Sequence, residues 1–378
     1  MRDILFVAGE PSGDLHASGV ARELGARGAP FRRRGVGGDL MQAAGVHIDE
    51  HIRDLAVLGL VEVLRHVPKH WRMLRDVRAQ LQSGQVALVV LVDYPGFNMR
   101  VAEMAASAGV PVLYYIVPQV WAWGAGRLEK LARWVARAAV ILPFEEPLLR
   151  AHGIDAEFVG HPLLDRATGM PGREEARDQL GLARDARVLA LFPGSRAQEI
   201  DRHLDAFVAT ANQLRQRIPD LQVIVSAAPH VRIDERRCPF PIVRAASLPI
   251  LRAADAAMCK SGTTTLEASV AGCPHVVAYR THPITYFAAQ RLVKIPYIGL
   301  VNVVAGREVA PEFIQSKLEP PAVARALEPL LDPGSARRAQ MLADLVAVRN
   351  QLGQPGAARR VASIAQSLAE RAEGGPQA

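Results

Sequence analysis

The sequence predicts two α/β domains in tandem, each a parallel sheet covered by helices on both faces, with a cleft between them. Three observations predict it. Short runs rich in Val, Ile and Leu alternate with stretches of helical period along most of the 378 residues. Continuous apolar strands joined by crossover helices require a sheet buried on both faces. The alternation pauses at Gly160-His161-Pro162-Leu163-Leu164-Asp165 to Pro171-Gly172-Arg173 and then starts again, as a linker between two such domains would make it do. The length fits two or three domains at about 150 residues each.

In the first half, residues 3–8, 86–92, 111–117, 138–142 and 156–159 read as strands, bounded by Gly, Pro or Asp. Helical patterns lie near 14–25, 60–82, 98–108 and 126–137. In the second half the strands fall at 187–192, 221–226, 241–244, 255–259 and 275–279, with helices near 197–217, 247–253, 263–272, 284–293 and 320–331. The predicted domains are 1–165, 166–345 and a C-terminal helix, 346–378, that packs back on the first domain or on a partner.

Several classes are excluded. The longest apolar run, Val86–Val92, is far short of the roughly 18 residues that cross a membrane. The N-terminal Met1-Arg2-Asp3-Ile4 is too acidic and its apolar run too short for a signal peptide, so a cytoplasmic location is expected. Three widely spaced cysteines, Cys238, Cys259 and Cys273, form neither a disulfide framework nor a zinc site. No HExxH, paired His with carboxylate, DxD or GxSxG occurs, so no metal and no cofactor are expected. The net charge is +7; residues 1–165 hold 18 basic and 18 acidic residues, so the whole excess lies in 166–378. Excess positive charge attracts anions. With no nucleic-acid-binding pattern, a phosphorylated small molecule fits it better than nucleic acid.

Ligands of such sheets sit at the carboxyl ends of the strands, and the notable motifs lie there. Gly9-Glu10-Pro11-Ser12-Gly13-Asp14 follows the first strand. Its glycines permit close approach and the helix start can bind an anion or a hydroxyl; a plain strand-to-helix turn is the alternative. Asp93, after Val86–Val92, is placed to act as a general base, or to cap the turn of Tyr94-Pro95-Gly96-Phe97-Asn98. Trp121 and Trp123, in Pro118-Gln119-Val120-Trp121-Ala122-Trp123-Gly124, would stack on a sugar, receive acyl chains or pack in the core. Residues 60–81 form an amphipathic helix with Trp71 on its apolar stripe and Arg65, Lys69, Arg72, Arg75 and Arg78 on other faces. That composition suits a membrane surface or a helix covering a sheet; Pro68 would kink the helix or begin it.

In the second half, Gly194-Ser195-Arg196 opens a helix after a strand and is suited to a diphosphate. Ser261-Gly262-Thr263-Thr264 opens another, with Glu267 in its first turn, where a carboxylate can take both hydroxyls of a ribose or complete a capping box. Asn302 and Arg307 form a weaker polar cluster.

These motifs in this order resemble the lipid-A-disaccharide synthase family of bacterial glycosyltransferases. The matching stretches are AGEPSGDLHASG, LAVLGLVEVL, VDYPGFN, PQVWAWGAGR, LPFEE, VGHPLLD, LFPGSR, KSGTTTLEASVAGCPHVVAYR and NVVAGREVAPEFIQ, spread from residue 8 to about 316. The resemblance implies a GT-B fold of two Rossmann-like domains, the C-terminal one binding the UDP-sugar. It implies transfer of a sugar from UDP-2,3-diacylglucosamine to the 6-hydroxyl of 2,3-diacylglucosamine 1-phosphate, with inversion and without a metal. Asp93 would then be the base, with Glu10 second and His16 third. Arg196, the 261–264 helix start and Arg307 would stabilise the departing UDP, and Glu267 would hold the ribose. Gly194, Ser195 and Asn302 would complete the donor site. Ser12, Gly13, Asn98, Gln119, Trp121, Trp123 and Trp71 would meet the acceptor or its lipid. The chain departs from the family pattern at Gly96, where some members carry an acidic residue; this concentrates the choice of base on Asp93. The resemblance also implies attachment to the inner-membrane surface and a homodimer, with helices in 336–372 supplying contacts. Two other readings remain on the residues alone: another GT-B protein, such as a UDP-N-acetylglucosamine 2-epimerase-like or peptidoglycan-type enzyme, and a non-catalytic nucleotide-binding or membrane-docking protein.

Overall fold

A computed structural model describes residues 1–54, 60–121, 126–229, 231–283, 286–287 and 295–374, with the side chains of 54 and 60–68 left aside. The chain forms two units, one of Met1–Pro162 with Gln354–Ala378 and one of Leu163–Gly353.

The first unit runs β1 (Asp3–Ala8), α1 (Pro11–Ala26), β2 (Arg32–Gly37), α2 (Asp39–Ala43), β3 (His47–His51), α3 (Leu60–Gln82), β4 (Val86–Val92), α4 (Pro95–Ser107), β5 (Val112–Tyr115), α5 (Gly126–Trp134), β6 (Arg137–Val140), α6 (Glu145–Arg150) and β7 (Ala156–Phe158). Its sheet has the order β3-β2-β1-β4-β5-β6-β7, with parallel pairing throughout. The two-residue period of a strand divides its apolar side chains between two cores. Leu5, Val7, Val89 and Leu91 face one; Ile4, Phe6, Leu88 and Val90 face the other.

Strands β2 and β3 escape the apolar-run criterion because they are polar: β3 forms the edge of the sheet and β2 lies next to it. Arg32 pairs with Asp3 at 2.7 Å, and Arg34 with Asp49 at 2.6 Å. An edge strand needs burial on fewer sides, so its sequence is freed from the apolar run that marks β4. Helix α3 begins at Leu60 and runs through Pro68, so Pro68 does not mark its start.

The second unit runs α7 (Leu163–Ala167), α8 (Arg173–Gln179), β8 (Val188–Phe192), α9 (Ala197–Arg217), β9 (Gln222–Ser226), β10 (Ile242–Val243), α10 (Ser247–Ala253), β11 (Ala256–Lys260), α11 (Thr264–Ala271), β12 (His275–Tyr279), α12 (Leu300–Ala305), β13 (Glu312–Ile314), α13 (Pro320–Leu331) and α14 (Ala336–Gln351). The sheet order is β10-β9-β8-β11-β12-β13, again parallel. Buried Asp255 ties α8 to this sheet: its carboxylate takes Arg177 and the Val188 N–H, both at 2.8 Å. The helix expected near 284–293 lies, apart from Tyr286 and Phe287, outside the described residues.

The chain then returns to the first unit as α15 (Ala357–Glu373). Val361, Ala362, Ala365 and Ala369 are buried in the core that holds Phe6, Ala17 and Val20. Arg27 reaches the Ser363 hydroxyl at 2.8 Å. The expected boundary at 345/346 is corrected: it falls inside α14, and the division comes at Gly353, which turns the chain with φ +87.

Strand order reverses between β1 and β4 in one sheet and between β8 and β11 in the other. Such a switch point opens a crevice at the carboxyl ends of the strands. Among the described residues no helix is long and apolar enough to cross a membrane.

Candidate active site

At the switch point of the second unit, a pocket of about 280 Å³ lies beyond β8 and β11. It brings together Gly194, Ser195, Ser261, Gly262, Thr263, Thr264 and Glu267 from loops more than sixty residues apart in sequence. Sequence spacing places each of them at a strand end; the parallel pairing of β8 with β11 makes them neighbours.

The floor of the pocket depends on two glycines. Gly194 has φ +144, and an added Cβ would come within 2.5 Å of the Glu199 Cβ; Gly262 has φ +150. These conformations are costly for any other residue. Behind Gly262, α11 starts with Thr265 N–H bonded to the Gly262 carbonyl and Glu267 N–H to that of Thr263. The N–H groups ahead of those bonds are the unpaired donors of a helix start, which favours an anion. Glu267 is buried, and Arg166 approaches its Oε1 at 3.1 Å. A carboxylate so held is fixed in direction and keeps lone pairs for hydroxyl donors.

Arg196 is exposed at the start of α9 and does not line the pocket. Two donor-site expectations are corrected. Asn302 is fully buried: its Nδ2 donates to the Ala310 carbonyl and to Glu312, and its Oδ1 accepts the N–H groups of Val309 and Ala310. With every bonding position used, it fastens the loop between α12 and β13. Arg307 turns to Asp344 on α14 at 2.7 Å, and that guanidinium holds the Asp344 carboxyl below its ordinary range.

Sequence reasoning missed Lys260, Glu199 and His203. Lys260, the last residue of β11, lines the pocket and pairs with Glu199 at 2.8 Å. Burial works against the Glu199 charge, but Lys260, the Ser195 N–H and Arg196 outweigh it and hold its pKa down. His203 donates from Nδ1 to the Pro193 carbonyl and accepts the Arg280 N–H at Nε2; burial lowers its pKa. The one available signal was Glu199 four residues after Ser195 at a helix start.

In the first unit, the switch point carries Asp93. Asp93 and Tyr94 have φ +51 and +49, a strained pair for residues other than glycine. Asn98 holds that turn. It is fully buried, and its Nδ2 donates one hydrogen to the Asp93 carbonyl at 2.7 Å and shares the other between the Val7 and Val92 carbonyls at 3.3 Å. Asn98 therefore does not meet an acceptor directly, a second correction of type: it is a clamp across β1 and β4. Burial, and then the charge of Glu10, raise the Asp93 pKa. Glu10 itself is exposed at the start of α1. The Tyr94 ring lies over Gly9, where an added Cβ would be 2.2 Å from it, and its hydroxyl meets His70 at 2.9 Å.

Ser12 is exposed in the first turn of α1, whereas Gly13 is buried against Ala8 and the Val92 carbonyl. His16 stands edge-on to Tyr115, at 6.3 Å between ring centres. Gln119 is exposed. Trp121 is half-buried and anchored: its Nε1 donates to Glu145 at 3.1 Å, and Phe144 packs edge-on at 5.2 Å. Glu145 is a further missed residue; burial pushes its pKa to about 7. Trp123 lies outside the described residues. Trp71 does not sit on the buried stripe of α3, which consists here of Met73, Leu74, Val77 and Leu81; it is 63% exposed, with Arg100 over its ring at 6.0 Å.

A cavity of about 300 Å³ between β2, β3 and α3 is bordered by Arg34, His47, Asp49, Asp76 and Gln80. It lies off the strand ends, and its arginine is already bound to Asp49 through two nitrogens. Among the described residues no group of three or more His, Cys, Asp or Glu is placed to hold a metal.

A family model described as lipid-A-disaccharide synthetase matches residues 4–368 of the chain. A lipid-A-disaccharide synthase of Geobacter sulfurreducens is 39% identical over 361 residues, covering 93% of each chain. Among solved structures, the calicheamicin glycosyltransferase CalG4 matches with a TM-score of 0.65 at 17% identity, covering 100% of both chains. The UDP complex of S. aureus MnaA matches with a TM-score of 0.64 at 11% identity, covering 96% of this chain and 95% of that one. These two likenesses extend over both units and show a GT-B-like fold.

Proposed function

The chain belongs to the lipid-A-disaccharide synthetase family, and we propose from that premise the following division of labour between its two units. It is a glycosyltransferase whose substrates are a UDP-sugar and a lipid A precursor. In our reading the second unit binds UDP-2,3-diacylglucosamine and the first binds 2,3-diacylglucosamine 1-phosphate. The observation that carries this reading is the pocket beyond β8 and β11, which seven expected donor-site residues line together.

Asp93 takes the proton from the acceptor 6-hydroxyl. The freed oxygen forms its bond to the anomeric carbon from the face opposite the phosphate. The bond from that carbon to the phosphate oxygen breaks, and the electron pair leaves with UDP, giving a β-1′,6-linked disaccharide 1-phosphate with inversion. The raised pKa of Asp93 suits a base, because its affinity for the proton is greater than that of an exposed carboxylate. The α11 start and Ser195 oppose the charge that develops on UDP, and Glu267 holds the ribose hydroxyls. Fixed donors of this kind replace a metal ion.

The exposed Trp71 beside Arg72, Arg75 and Arg100 supports docking on the inner-membrane surface, where an indole and cations meet headgroups. A homodimer belongs to the same reading, and sedimentation tests it. The deciding experiment is transfer from the radiolabelled donor in detergent with EDTA present. Disaccharide and UDP support both the reaction and its independence of metal. Asp93→Asn should abolish turnover with UDP binding largely intact; near-normal turnover would remove Asp93 from the role of base.

A further inference from the structure

Lys260 and Glu199 stand outside the mechanism above, yet Lys260 lines its donor pocket and Glu199 is paired with it. Among the described residues that line the pocket, Lys260 is the one cation. Its Nζ lies where an added Cβ on Gly262 would be 3.6 Å away, directly over the turn that begins α11. The Tyr279 ring lies 6.0 Å from it, and the lysine side chain, 22% exposed, lines the pocket. Glu199 is built as its partner. The carboxylate accepts the Ser195 N–H at 3.0 Å and Lys260 at 2.8 Å, and Gly194 has no side chain where Glu199 packs. The pair thus links the first turn of α9 to the end of β11.

We propose that Lys260 is the specificity-determining residue for the diphosphate, and that Glu199 is its resident competitor. The inference rests on the reading of this pocket as a UDP site. Glu199, at 2.8 Å, neutralises Lys260. A ligand gains the lysine only if its charge outcompetes one fixed carboxylate. A diphosphate does so better than a monophosphate, because it adds negative charge and a second set of oxygens within reach of the α11 start. A lysine suits the exchange: its ammonium is a compact charge on a flexible stem, free to turn from carboxylate to phosphate.

The test is calorimetric titration of the full-length protein with UDP, UMP and uridine, for the wild type, Lys260→Met, Lys260→Arg and Glu199→Gln. Removal of one charge-assisted contact predicts a loss of about tenfold or more in UDP affinity for Lys260→Met. Uridine affinity should be unchanged, and Lys260→Arg should recover much of the UDP loss. Glu199→Gln keeps an acceptor for the Ser195 N–H but removes the competing charge, so UMP should bind more tightly than to the wild type. UDP affinity within about twofold of wild type in Lys260→Met would overturn the proposal. An equal loss for uridine would also overturn it, since the lysine would then merely support the pocket. Wild-type protein that binds no UDP would instead refute the nucleotide site itself.

Discussion

Asn98→Ala removes the clamp across β1 and β4, and the structure permits its effect to be sized. The bond to the Asp93 carbonyl, at 2.7 Å, is short and partly buried; a net contribution of about 1–1.5 kcal/mol is typical of such a bond. The Val7 and Val92 carbonyls, at 3.3 Å, share the second amide hydrogen and together contribute about 1 kcal/mol. Two effects reduce the total. Asn98 Oδ1 is buried without a partner, so deletion also removes an unsatisfied acceptor, and the Asp93 carbonyl keeps the Tyr114 hydroxyl at 3.0 Å. The expected net loss is about 2 kcal/mol in the first unit. With a urea slope of about 2 kcal/mol per molar, the midpoint falls by about 1 M. The assay is specific to this unit, because the four tryptophans, at 71, 121, 123 and 134, all belong to it. A fluorescence midpoint within about 0.2 M of wild type would refute the clamp. Turnover should fall as well, because the released turn no longer holds Asp93 at positive φ.

Glu145 gives a pH dependence. Burial raises its pKa to about 7 in the folded chain, so folding favours the protonated form. The associated stability is present at acid pH and is lost as pH rises through about 7. The tryptophan-monitored midpoint should therefore decline between about pH 5 and about pH 8.5, and Glu145→Gln should flatten that decline; parallel profiles would remove Glu145 as the cause. Arg307→Ala should leave UDP affinity within about twofold of wild type, because its guanidinium serves Asp344 and not the pocket. A tenfold loss in a binding titration would return Arg307 to the donor site.

The two sheets were legible wherever a strand is buried on both faces. Val86–Val92 and Val188–Phe192 announce themselves by composition alone. β2, β3 and β13 do not, because strands at or next to a sheet edge tolerate Arg, His, Asp and Glu, and their pairing depends on partners distant in sequence. At the site, Gly194 and the 261–264 turn were legible because a strand followed by small residues and a helix start has few other uses. Asn98, Asn302 and Arg307 misled for one reason. An amide or guanidinium in a loop advertises hydrogen-bonding capacity, but not whether protein or ligand consumes it. Lys260 and Glu199 were hidden by the converse: each is an ordinary charge until the parallel pairing of β8 and β11 brings them together.

The first unit is assembled from both ends of the described chain, with the second unit inserted between them. This orders events on the ribosome. The segment up to Pro162 emerges with Phe6, Ala17 and Val20 lacking the cover that α15 provides. It must wait while some 190 residues of the second unit are made. The second unit, by contrast, is continuous in sequence and has all its strands before α15 appears. The nascent protein thus completes its second unit first and carries an unsealed first unit until α15 docks. Holdase chaperones that recognise apolar surface would find their target on the α1 face during that interval.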